Sequence, residues 1–91
     1  MTENIVIEPI QENPPGGDQL TDYDRAHLKL YIRLLDSAAD GADWREVVRV
    51  LFEIDPDDDP ERAKRIHDNH LARARWMTES GYRQLLRDIQ H

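Results

Sequence analysis

Apolar residues recur along most of this chain at the three- and four-residue spacing of a helix buried on one side. Between Asp22 and Ala39 the stripe is Leu28, Tyr31, Ile32, Leu35, Ala38 and Ala39, widened on one side by Tyr23, His27, Leu30 and Leu34. Between Asp43 and Phe52 it is Trp44, Val47, Val48 and Leu51, with Phe52 and Ile54 leading out. Between Asp59 and Met77 it is Ala63, Ile66, His67, His70, Leu71, Ala74 and Met77, while Arg62, Lys64, Arg65, Asp68, Asn69, Arg73 and Trp76 point elsewhere. From Ser80 or Gly81 to Ile89, Tyr82, Leu85, Leu86 and Ile89 repeat the pattern. The spacing predicts four amphipathic helices and no strand within this part of the chain.

The residues between the stripes punctuate these helices. Thr21 or Asp22 can cap the first, and Gly41 ends it well. Asp43 with Glu46 resembles a capping box for the second, and Pro56 stops it. Asp59, Pro60 and Glu61 open the third: a cap, a ring suited to the first helical position, and an acid at the positive end of the dipole. The second and third helices are joined by Glu53–Asp59, seven residues in which Asp55, Asp57, Asp58 and Asp59 form an acidic turn. A helix-turn-helix normally has a turn of about three or four residues. The predicted fold is therefore an all-α, four-helix domain containing a helix-turn-helix variant with an extended turn.

Residues 1–20 carry no such period. Ile5-Val6-Ile7 is a short apolar run, and Pro9 and Asn13-Pro14-Pro15-Gly16-Gly17 break any regular element. They read as a flexible acidic tail, with residues 21–91 as the domain. The competing reading has Ile5, Ile7 and Ile10 docking as a short strand.

Charge sharpens this division. The 91 residues sum to a net charge of −7. Residues 1–24 hold six acids and no base, whereas residues 61–91 hold seven bases and four acids. The third and fourth helices are thus mildly basic in an acidic protein. The average balance argues against nonspecific binding to a polyanion. There is no cysteine, which excludes disulfides and a thiolate zinc site. No apolar run approaches membrane-spanning length, and MTENIVIEP lacks the basic region of a secretory signal, so the expected compartment is the cytoplasm.

The candidate chemistry is thin. Asp55, Asp57 and Asp59 alternate like a calcium loop, but the sixth position is Pro60 instead of Gly and the twelfth is Ile66 instead of Glu. His27, His67 and His70 lack a recognised metal spacing and read as histidines lining a small core. No nucleophile–base constellation and no Gly-rich phosphate loop occurs. The expectation is no enzyme, no metal and no cofactor.

The words DYDRAHLKLYIRLLD, GADWREV, IDPDDDPERA and HLARARWMTESGYRQLL span Thr21 to Leu86. They resemble a proteobacterial family of extended-turn helix-turn-helix domains, a domain of unknown function encoded on integrative and conjugative elements. The resemblance implies two kinds of relative. Some are fused to a small domain in transcriptional activators of element transfer, with a basic face on DNA and the opposite face on the fused partner. Others stand alone as antiactivators. The positions expected to face DNA here carry Arg45, Arg49, Arg62, Lys64 and Arg65, beside Glu53, Asp55, Asp57, Asp58, Asp59 and Glu61. DNA affinity comes largely from counterion release by phosphate contacts, and this balance implies weak or absent DNA binding.

The implied function is that of an antiactivator. It would occupy the small N-terminal domain of a transcriptional activator by mimicking the activator's own helix-turn-helix domain, and the resemblance permits a quorum-sensing regulator as a further partner. Tyr23, His27, Tyr31, Arg73, Trp76 and Tyr82 are the expected partner-binding residues, of types common at binding hot spots. Core packing competes for Tyr31 and Tyr82, and packing on the fourth helix or the tail competes for Trp76. The alternative is a small DNA-binding transcription regulator using Arg62, Lys64 and Arg65 in a groove.

Overall fold

The computed structural model describes residues 13–89. The docking expected of Ile5, Ile7 and Ile10 lies outside them. The described residues form helices and connections, with no strand. Four helical stretches follow in order. The first is α1 (Asp22–Ala26) with α2 (Leu28–Ala39). The second is α3 (Trp44–Val47), continued by a π turn over Val48–Phe52. The third is α4 (Pro60–Trp76), and the fourth is α5 (Tyr82–Ile89).

The cap residues sit where the sequence implies, but Asp43 caps α3 by accepting from Arg45 N and closes no reciprocal box with Glu46. The Thr21 hydroxyl accepts from Asp24 N, and the Asp24 carboxylate accepts from Thr21 N, a reciprocal capping box. Asp43 accepts from Arg45 N at 3.1 Å, and Asp59 from Arg62 N at 3.2 Å, with Pro60 in the first turn. Gly41 takes a positive φ of 73°, and the amides of Gly41 and Ala42 close on Ala38 and Ser37 behind it. The acidic turn is built by its own residues. Asp55 accepts from Asp57 N, Asp58 N donates to the Asp55 carbonyl, and buried Pro56 sets the bend between them.

Three features depart from the expected helices. The first helix is broken at His27, whose φ of −116° lies outside the α region, so α1 and α2 are separate. The His27 ring satisfies part of the break by donating Nδ1–H to the Tyr23 carbonyl at 2.8 Å. The buried edge of α2 is also turned from the predicted stripe: Tyr31 and Leu34 are buried, whereas Ile32 is 59% exposed. Lastly, α4 reaches α5 through one π turn, Met77–Gly81, with no loop between them.

Two apolar clusters hold these elements. Leu34, Val47, Val48, Phe52, Ala63 and Ile66 join α2, α3 with its π turn, and α4. Leu20, Tyr31, Ala74 and Met77 form the second cluster, with Leu28, Leu35 and Trp76 against it. Each large side chain so buried contributes about 1.5–3 kcal/mol relative to exposure.

Candidate functional site

The two candidate faces differ in how their charges are used. On the helix-turn-helix side, Arg45, Arg49, Arg62, Lys64 and Arg65 are all exposed. Arg62, Lys64 and Arg65 occupy the first two turns of α4, the second helix of the motif. Trp44 ties the two helices' cations together. Its half-buried ring has the Arg45 guanidinium 5.0 Å and the Lys64 ammonium 5.4 Å from its centroid. Both cations gain from the negative face of the indole. The sequence reading gave Trp44 only a place in the apolar stripe; two bases flanking an indole across a predicted turn were the available signal.

Arg49 and Lys64 are ion-paired within the domain. Arg49 Nη2 lies 3.4 Å from Asp57 of the acidic turn, and Lys64 Nζ lies 3.1 Å from Asp68 one turn further along α4. His67 Nδ1 also donates to Asp68 at 2.9 Å. Burial raises the Asp68 carboxyl, but the hydrogen bonds from His67 and Lys64 outweigh it and hold the group below its ordinary value. Of the four acids of the turn, Asp55 and Asp59 face backbone amides and Asp57 faces Arg49.

The expected partner-facing residues divide into an inner and an outer set. Arg73 is expected on the outer side of α4 but is buried. Its guanidinium makes two parallel bonds to Asp24, Nε to Oδ1 at 3.0 Å and Nη2 to Oδ2 at 2.7 Å. It also donates to the carbonyls of Gly17 and Gln19 at 2.9 and 2.8 Å. The physical reason is the strap formed by residues 13–20. Its prolines and glycines give it no ladder or helix of its own, so side-chain donors satisfy its carbonyls. Gln84 repeats the device from α5, accepting from Leu20 N and donating to the Asp18 carbonyl.

Tyr31 is buried on the same carboxylate, its hydroxyl donating to Asp24 Oδ1 at 2.8 Å. Burial raises the Asp24 carboxyl, yet Arg73, Thr21 and Tyr31 together hold it below its ordinary value. Burial and the neighbouring Asp24 carboxylate push the Tyr31 phenol far above its usual range. His27 is buried too, stacked on Tyr23 at 4.1 Å between ring centroids. The Tyr23 hydroxyl reaches His70 Nε2 at 2.7 Å, and His70 Nδ1 donates to the Ile66 carbonyl at 2.8 Å. With Nδ1 protonated, Nε2 of the neutral ring is the acceptor for the Tyr23 hydroxyl. Burial lowers the His70 pKa in the same sense. His27, Tyr31 and Arg73 therefore have internal partners in the fold.

The outer set is Trp76 and Tyr82. Trp76 is half-buried, with the Arg73 guanidinium stacked 3.7 Å from its ring centroid. Its other edge lies on Gly81, where a Cβ would come within 2.5 Å of the ring. Trp76 also lines a cavity of about 450 Å³ between α4 and the strap, with Pro14, Pro15 and Ala72. Tyr82 is 51% exposed. The sequence reading missed Asp24, the residue through which Thr21, Tyr31 and Arg73 meet. Only its capping-box spacing from Thr21 was visible.

Residues 7–87 match the family model RovC_DNA-bd, described as the DNA-binding domain of a T6SS transcription factor. The chain belongs to this family. No curated protein matches the chain. The match takes in the whole helix-turn-helix unit, the strap and all five exposed bases of the first face. This is a helical DNA-binding regulatory domain by family. No helix among the described residues is long and apolar enough to cross a membrane.

Proposed function

We propose that this chain is a transcription regulator that contacts duplex DNA through its helix-turn-helix unit, with α4 as the helix presented to the groove. The family match carries this reading, because it extends over both helices of the motif and the turn between them. The layout supports it. Helix-turn-helix proteins use the N-terminal residues of the second helix against base edges while neighbouring elements hold the backbone. Arg62, Lys64 and Arg65 have the first position here, and Arg45 and Arg49 the second.

A second reading rests on a different observation, the internal pairing of Arg49 with Asp57 and Lys64 with Asp68. Cations already neutralised release fewer counterions from DNA. In that reading the domain is an antiactivator of the kind found in the mobile-element family it resembles. It binds an activator's small N-terminal domain, or a quorum-sensing regulator, and leaves DNA alone. Half-buried Trp76 and exposed Tyr82 are its contacts, and Arg73 supports Trp76 from behind.

One titration separates the two. Duplex affinity is measured by fluorescence anisotropy across a range of salt concentrations. The DNA reading expects a log–log slope of about −0.9 per phosphate contact, reduced by Lys64→Ala and Arg62→Ala. No duplex binding at low salt, with salt-tolerant binding to an activator domain, would establish the second reading instead.

A further inference from the structure

The outer side of α2 carries a charge pattern that neither reading uses. Lys29 and Asp36 are exposed and lie along one edge of the helix, seven residues apart, with Ile32 between them on the adjoining edge. Among the described residues neither Lys29 nor Asp36 has an ion-pair partner. Beside them runs an apolar groove of about 300 Å³ lined by Leu28, Ile32, Met77, Thr78 and Tyr82. Leu86 of α5 adds a further exposed apolar side chain, at 39% exposure.

From this pattern we infer that α2 is a homodimer interface, in which a second copy of this chain packs its α2 antiparallel across Ile32. The charge order decides the occupant. In an antiparallel pair centred between Ile32 and Arg33, Lys29 of each copy falls opposite Asp36 of the other. The base and the acid sit at equal distances on either side of the centre, so one two-fold axis satisfies both pairs at once. The two Ile32 side chains meet beside the axis, on the groove side. Leu28 and Tyr82 extend the apolar area there. Arg33 falls on the opposite rim beside the Arg33 of the second copy, so each guanidinium turns outward to water, where the repulsion is screened, while its stem covers apolar surface. A parallel pairing would set Lys29 against Lys29 and is disfavoured.

The interface is independent of the DNA reading and lies on a different face from Arg45, Arg49, Arg62, Lys64 and Arg65. The test is sedimentation equilibrium of the full chain and three variants over a wide concentration range. The chain itself is expected to dimerise with concentration. Lys29→Asp and Asp36→Lys should each shift the equilibrium strongly to monomer, and the double exchange should restore the dimer. All three variants change exposed positions, and unaltered circular dichroism would show that the fold is kept. The chain lacks cysteine, so Ile32→Cys supplies a single thiol that should oxidise to a covalent dimer. A monomer at every concentration would overturn the inference. So would a dimer indifferent to Lys29→Asp, or a double exchange that fails to restore association.

Discussion

Asp24 with Arg73, and Asp57 with Arg49, are the same chemical pair in two settings. The first is buried, with a shortest contact of 2.7 Å, and is joined by Tyr31, Thr21 and two strap carbonyls. The second is solvated, with a shortest contact of 3.4 Å. Ion-pair worth follows setting more than identity. A buried charge depends wholly on its partners, because water no longer solvates it. An exposed pair exchanges solvent for a partner at little gain. The buried pair therefore belongs to the fold, and the exposed pair to the tuning of a surface.

The largest way to break this contrast is to remove one member of the buried pair. Arg73→Ala leaves the Asp24 carboxylate buried and the strap carbonyls without donors. It should cost about 3–5 kcal/mol in urea unfolding, a large share of the ~5–15 kcal/mol that holds a typical domain. A loss below ~1 kcal/mol would put the buried pair on the same footing as the surface one. Gly81→Ala tests the packing beneath Arg73, since the new methyl meets the Trp76 ring. The expected cost is about 1–3 kcal/mol, with a shift in tryptophan emission.

Acid should weaken the buried region in two windows. His70 is held neutral in the fold, with a pKa below the ordinary 6.5. As pH falls below 6.5 the unfolded chain takes up that proton first, and stability drops. Asp24 is held ionised, with a pKa below the ordinary 3.8, so its contribution is present above 3.8 and fades below it. Thermal melts from pH 8 downward should show both declines, and a melt unchanged between pH 7 and pH 5 would contradict the His70 geometry. The smallest effect belongs to the surface. Arg49→Ala should change stability by under ~1 kcal/mol. Asp57→Asn should leave stability alone and strengthen duplex binding by releasing Arg49 to phosphate. Unchanged or weaker duplex binding would deny Arg49 that role.

The helices were legible because their information is local. Ala63, Ile66, His70, Ala74 and Met77 repeat within one turn of each other, and Thr21, Gly41, Asp43 and Asp59 act on backbone a few residues away. Arg73 was not legible. An arginine beside an apolar stripe reads as solvent-facing until something covers it, and Asp24 and the strap lie 49 and more residues away. The same limit applies to α2: Ile32 fits the predicted stripe as well as Leu34 does, and only the break at His27 and the packing of α4 decide which is buried. Of the candidate site, the five bases were identified from the sequence and are exposed; the Lys64–Asp68 pair is a local i,i+4 pair, whereas the pairing of Arg49 with Asp57 required the folded turn.

The π turn at Met77–Gly81 has a consequence for how this protein tolerates change in length. A π turn holds more residues than an α turn, so it acts as a fixed insertion in an otherwise continuous rod. Five residues at about 4.4 per π turn sweep nearly the same angle as four at about 3.6 per α turn. Deleting one residue there would therefore let α4 run into α5 as a single α-helix with everything beyond it on nearly its old heading, Tyr82 still beside Ile32 and Gln84 still towards Leu20. A deletion one turn earlier, inside α4, would instead swing all of α5 by about 100° around the axis.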